Sequence, residues 1–415
     1  MGADCRDPPI RVRTRETNRS LPIAFPISPS HNRTMKSIIP AIAASLLAAA
    51  TAASANPYVS IQQEIRQSIA RGNAWLASQQ HEDGYWGDER LPAFTALALS
   101  SAVLSPDFDI KEPFPEHIEK AYQWLLTKQQ EDGGIYDRGL SVYNTSVAVN
   151  ALVHSGREDF EPAIVRARAH LIGNQWDSGL NPDTDPINDG GIGYGSDDSH
   201  TDLSNTFLAL EALALSEHIV GDGGHGDQPE LNWQAAINFV SRCQNLEETN
   251  DQPWASNDPD NRGGFVYAPG QSKAGEQELG DGRVALRSYG SMSYAGLLSF
   301  IYAKLSPDDP RVTAVMDWLT RNYSIEENPG LGAQGLYYYY QTMAKALTAA
   351  NIDTLTTEDG REIDWRKELA GRVLSNQRED GSWVNENGRW MESNPVLVTT
   401  YMVLALQQID ASIPR

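Results

Sequence analysis

One phrase recurs along this chain at intervals no ordinary single-core fold would require. A helix-forming segment ends on glutamine at "AWLASQQ" (Gln80), "QWLLTKQ" (Gln129), "HLIGNQ" (Gln175), "FVSRCQ" (Gln244) and "VLSNQ" (Gln377). A sixth segment, "DWLTRNY", carries Tyr323 at the same place. A glycine-containing turn follows, and then a second, more apolar helical segment. These second segments read "AFTALALSSAVL", "NTSVAVNALV", "NTFLALEALAL", "SYAGLLSFIYA", "YYYYQTMAKAL" and "VLVTTYMVLAL". Fixed self-similarity of this kind defines the architecture before any single element does.

The two helices of each unit differ in pattern. The first is amphipathic, as in "IEKAYQWLLTKQ", with apolar side chains three and four apart. The second is apolar or small nearly all round, the pattern of a helix buried on every side. Alternating one-sided and fully buried helices predicts two concentric layers. The expected fold is all-α, an (α/α)6 toroid of six helical hairpins in one domain over residues 56–412. The first and last turns, "QHEDGYW" and "QREDGSW", match best, as neighbours across a closing seam would. In each, glycine permits the reversal, the glutamine amide can hold open helix ends, and tryptophan covers the junction.

The first 55 residues stand apart. From Met35, "MKSIIPAIAASLLAAATAASANPYVS" has a lysine, an apolar run and small residues at Ala53-Ser54-Ala55, the layout of a secretory signal. Residues 1–34 are basic, polar and proline-rich, and are read as a non-native extension ahead of a start at Met35; residues 35–55 are the signal peptide. The expected destination is secreted or periplasmic. The whole chain carries a net charge of −22, and loss of a leader with more bases than acids makes the remainder more acidic still. That argues against nucleic acid or an anionic membrane surface as partner. Cys243 is then the one cysteine left, so no internal disulfide is expected. No other segment is long and apolar enough to span a bilayer.

The six units, with Gln80-x3-Gly84-x-Trp86 and Gln377-x3-Gly381-x-Trp383, resemble the prenyltransferase and squalene-cyclase repeat family across residues 60 to 410. The resemblance implies a toroid around a central, aromatic-lined cavity that takes a hydrophobic, terpenoid-like ligand. Protonating cyclases of that family carry Asp-x-Asp-Asp at the head of an inner helix. The equivalent here is Asp202-Leu203-Ser204-Asn205, and neither Ser204 nor Asn205 can protonate an alkene. The zinc set of the protein prenyltransferases falls on "RSYGSMSYAGL", which has neither aspartate nor cysteine, and no histidine follows His225. No metal or other cofactor is therefore expected from that comparison. Between Arg168 and Arg242 there are twelve acidic residues and no lysine or arginine, which speaks against diphosphate binding in that stretch.

Candidate site residues come from the long turns and the helix heads that face the predicted cavity. Asp202, His200 and Glu392 are the candidate acid–base groups; His200 stands between Asp198 and Asp202. Tyr289, Tyr294, Tyr337, Tyr338, Trp390 and Arg287 are candidates for the ligand wall. Asp183, Asp185 and Asp189 have oxygen-ligand spacing suited to calcium, although the twelfth position of an EF-hand loop is Tyr194. Three functions remain open from sequence: an exported toroid that binds or transforms a terpenoid-like ligand as a cyclase-like isomerase or transferase, a carbohydrate-active toroid such as a polysaccharide lyase or hydrolase, and a non-catalytic scaffold.

Overall fold

The computed structural model of the chain describes residues 57–177, 186–195, 200–221, 226–280 and 282–414. Its helices are α1 (Val59–Ser78), α2 (Pro92–Val103), α3 (Glu116–Leu126), α4 (Ser141–His154), α5 (Glu161–Gly173), α6 (Leu203–Leu215) and the four-residue α7 (Glu217–Val220). They continue with α8 (Trp233–Arg242), α9 (Gly290–Tyr302), α10 (Pro310–Arg321), α11 (Leu336–Ala349), α12 (Trp365–Ser375) and α13 (Pro395–Ser412). Two small antiparallel hairpins interrupt the helical pattern: β1 (Glu276–Glu278) with β2 (Val284–Leu286), and β3 (Leu355–Thr356) with β4 (Glu362–Ile363). The sequence pattern did not call for these strands, because each is only two or three residues long and lies inside a connection.

The inner helices α2, α4, α6, α9, α11 and α13 each pack on the next, and α13 packs on α2. The ring is closed. Its helices are buried around nearly their whole circumference, whereas α3, the clearest outer helix, buries only Ile118, Ala121, Tyr122 and Leu125. The outer layer is α1, α3, α5, α8, α10 and α12. At the seam α1 lies on α13 so closely that a Cβ on Gly72 would meet Val403 at 2.6 Å.

The repeated turn is a clamp with the same wiring at five junctions. The Nε2 of Gln80, Gln129, Gln175, Gln244 and Gln377 donates to the carbonyl of its own turn glycine: Gly84, Gly133, Gly190, Gly263 and Gly381. The same nitrogen donates to a carbonyl of the following outer helix: His117, Ala163, Asn232, Arg311 and, across the seam, Ser68. Two residues after each glycine, the backbone N–H of Trp86, Ile135, Ile192, Phe265 or Trp383 donates to a hydroxyl on the inner helix: Thr95, Thr145, Thr206, Ser293 or Thr399. One turn thus ties its own helix, its outer neighbour and its inner partner. At the remaining junction Tyr323 replaces glutamine and stands beside Glu368 of α12.

Candidate functional site

The hub is defined by contacts between inner helices that are not ring neighbours, since such contacts can only be made through the middle. At the end where the inner helices begin, Tyr143 of α4 and Tyr401 of α13 set their hydroxyls toward each other past α2. Tyr338 of α11 turns toward Ser204 of α6 past α9, and its ring lies 6.0 Å from that of Tyr401. Tyr143, Ser204 and Tyr338 are only half-buried although they lie at the middle of the molecule. Burial pushes the Tyr143 and Tyr338 hydroxyls up from their ordinary range. Side chains that are enclosed yet still accessible mark a hub that is not packed solid.

Asp202 lies at the edge of this tyrosine collar. It is extended in backbone and caps α6: its Oδ1 accepts the Asn205 N–H at 2.9 Å and its Oδ2 accepts Asn205 Nδ2 at 2.7 Å. The carboxyl is fully buried, and burial pushes it above the usual carboxylate range against the downward pull of the Asn205 donors. Tyr267 turns its hydroxyl toward Asp202 and shares a hydrogen bond with Tyr194 at 3.1 Å. His200 stacks on the Tyr267 ring at 5.9 Å, and the Lys273 ammonium stands 4.0 Å from the same ring's centre. Tyr289, buried at the head of α9, completes the group beside Asp202, Tyr194 and Tyr338.

The collar therefore brings together Asp202, His200, Tyr289 and Tyr338 from the sequence candidates. Tyr143, Tyr194, Tyr267, Lys273 and Tyr401 join them without having been singled out for this position. Tyr194 and Tyr267 did carry a signal, because each stands four residues after its turn glycine, Gly190 or Gly263.

Two turns deeper, about 10 Å along the inner helices, lies a second polar tier. Glu211 Oε1 accepts Lys345 Nζ at 2.6 Å and the Tyr302 hydroxyl at 3.0 Å. His154 Nδ1 is 3.2 Å from Ser100 Oγ, and burial lowers the imidazole to about 4, so it is neutral at pH 7. Between the tiers, Val147, Leu208 and Leu404 occupy the hub-facing positions one turn below Tyr143, Ser204 and Tyr401; they and Leu97 of α2 keep 5 to 8 % of their surface accessible. This tier was missed in the sequence, yet it had a signal: Glu211 and Lys345 are single charges inside otherwise apolar helices.

The other candidates are placed elsewhere. Glu392 is buried, but it lies across the head of α11, accepting the backbone N–H of Tyr338 at 2.8 Å and Asn385 Nδ2 at 2.7 Å. It caps a helix rather than facing Asp202. Of the four tyrosines at 337–340, Tyr338 alone reaches the collar; Tyr339 and Tyr340 donate to the carbonyls of Ser324 and Ile325, and Tyr337 packs edge-on against Tyr340. Tyr294 is fully buried against Tyr339 between α9 and α11. Arg287 precedes α9 by three residues and donates from Nε to the Glu276 carbonyl, tying down the β1–β2 hairpin. Trp390 is exposed, left-handed in backbone (φ 53°) and laid against Gly335 at the head of α11. Asp198, Asp183 and Asp185 lie outside the described residues, and Asp189 is buried at its turn. Among the described residues no three His, Cys, Asp or Glu side chains converge as a metal site, and no helix is long and apolar enough to cross a membrane.

No protein-family model matches the sequence, and no curated protein matches it. Among solved structures the chain is similar to the type II terpene cyclase MstE from Scytonema in its apo form, at 14% identity and a TM-score of 0.48, over 85% of this chain and 99% of that one. A variant of the same cyclase, solved with geranylgeranyl dihydroxybenzoate as substrate, gives 13% identity and 0.47 over the same shares. A protein from Actinoplanes gives 15% and 0.45, over 84% of this chain and 99% of that one.

Proposed function

We propose that this chain is exported through a cleaved leader and holds a largely apolar, terpenoid-like ligand in the hub of its ring. The observation that carries the reading is the layering of the hub: a tyrosine collar, then an apolar tier of Leu97, Val147, Leu208 and Leu404, then a polar floor. An apolar body with few polar contacts is the complement of such a lining. The repeat resemblance of the sequence points the same way. Ser204 and Asn205 stand where a protonating cyclase has its acids, so transformation, if it accompanies binding, does not start from a carboxylic acid at those positions. Among the described residues Asp202 is the carboxyl at the collar, and its acceptor bonds from Asn205 assign it to holding the head of α6.

A glycoside-hydrolysing reading needs two facing carboxylates. Glu392 is engaged by the head of α11 and does not supply the second.

The test is calorimetric titration with a C20 polyprenol and, separately, with a neutral oligosaccharide. Saturable binding of the polyprenol, lost in Leu208→Trp, is expected. Binding of the oligosaccharide in its place would overturn the proposal.

A further inference from the structure

The floor of the hub has an incomplete set of hydrogen bonds. Glu211 is held on one oxygen only: Oε1 takes both Lys345 and Tyr302, while Oε2 is buried and has no partner. Its side chain is 4% exposed, whereas Lys345 is 17% exposed and has further N–H groups to give. Phe207 backs the pair, stacked with Tyr302 at 6.3 Å and beneath the ammonium at 5.8 Å. On the α4 side His154 is committed through Nδ1 to Ser100, and Asn150, one turn before it, has a buried Oδ1 without a partner. A buried carboxylate oxygen left without a donor is expensive, and the one group that answers it must also tolerate an ammonium next door.

Chemistry narrows the complement. An ammonium would meet Lys345, and a carboxylate would meet Glu211. A hydrocarbon end leaves Oε2 bare. A hydroxyl donates through O–H to Oε2 and accepts from Lys345 Nζ through its lone pairs. We infer that the floor of the hub is a hydroxyl-binding subsite, where Glu211 and Lys345 together engage one alcohol group on the inner end of an otherwise apolar ligand. The inference rests on the ligand reading given above and adds the polarity and orientation of the ligand to it. The alcohol lies at the floor, about 10 Å below the collar.

Four probes of one skeleton test this by titration at pH 7: farnesol, farnesoic acid, farnesylamine and the corresponding hydrocarbon. The full chain should take farnesol about tenfold more tightly than the other three, the value of one buried hydrogen-bonding site satisfied. In the double variant Glu211→Leu/Lys345→Met, which replaces both charges with apolar groups of similar size, the hydrocarbon should bind at least as well as to the parent and the alcohol preference should vanish. Equal affinity for alcohol and hydrocarbon in the parent overturns the subsite while leaving the hub reading intact. So does a preference for the acid or the amine, or an alcohol preference that survives in the double variant. Failure of all four probes to bind removes the hub reading and the subsite with it. Should the double variant not fold, the comparison of the four probes on the parent chain decides alone.

Discussion

A carboxylate next to an exposed tryptophan invites an acid–base assignment, and Glu392 shows how burial redirects it. Its oxygens receive backbone N–H groups from the first turn of α11, the donors a helix leaves open. Glu392→Ala should lower stability by about 1–3 kcal/mol in urea titrations, by leaving those donors and Asn385 without an acceptor. His154 gives a separate prediction in pH. Its folded-state value is lowered to about 4 from 6.5 by burial, so the stability it contributes is present above 6.5 and lost as the pH falls toward 4. The loss across that window is up to about 3 kcal/mol. Asp202 and Glu392 are pushed up by burial and act in the opposite sense, their contributions falling as pH rises through their folded values. His154→Asn should therefore flatten the profile between pH 6.5 and 4, read from urea midpoints at each pH. At this scale the sequence was informative in part. Asp202 and Tyr338 were visible because they head inner helices. Tyr143 and Tyr401 were not, because a tyrosine inside "SVYNTSVAVN" or "TTYMVLAL" is indistinguishable from packing until the ring order is known.

Among the elements, the turn was the most legible feature, and the structure explains why its middle copies look degenerate. What the five glutamine copies share is the amide, a left-handed glycine and a buried apolar plug; tryptophan is one plug, and Ile135, Ile192 and Phe265 are others. The glycine is fixed by space as well as by dihedral angle. At Gly263, φ is +93° and a Cβ would stand 2.0 Å from the Ala314 carbonyl oxygen; at Gly190 the corresponding distance to Ala235 is 1.9 Å. Gly263→Ala should thus cost at least about 2 kcal/mol. Gly270→Ala, also at positive φ (+79°) but facing open space, should cost about 1 kcal/mol. Thermal unfolding of the pair separates crowding from backbone strain. The hairpins β1–β2 and β3–β4 escaped prediction because strands of two or three residues have no period to detect.

Over the whole molecule, closure is carried by the last turn, which reaches across the seam to α1, while the first turn repeats the same wiring at the next junction, between α1 and α3. Gln377 donates to Ser68 across 309 positions of sequence at 3.0 Å and accepts from the Ser68 hydroxyl at 2.8 Å. Gln377→Leu should release this link at a cost of about 2 kcal/mol, and hydrogen exchange should quicken first in α1 and α12. Gln129→Leu breaks the same wiring away from the seam and should quicken exchange in α3 and α5.

The meeting of α13 with α2 also governs how such a chain can change over generations. An open stack of repeats tolerates gain or loss of a copy at either end, since each unit needs only its neighbours. Here every inner helix has two, and a seventh hairpin would have to spread all the others while a missing one would leave a slot they cannot bridge. Copy number is frozen by geometry, so inherited length variation has to accumulate in the connections, as the long spans between α5 and α6 and between α8 and α9 already illustrate.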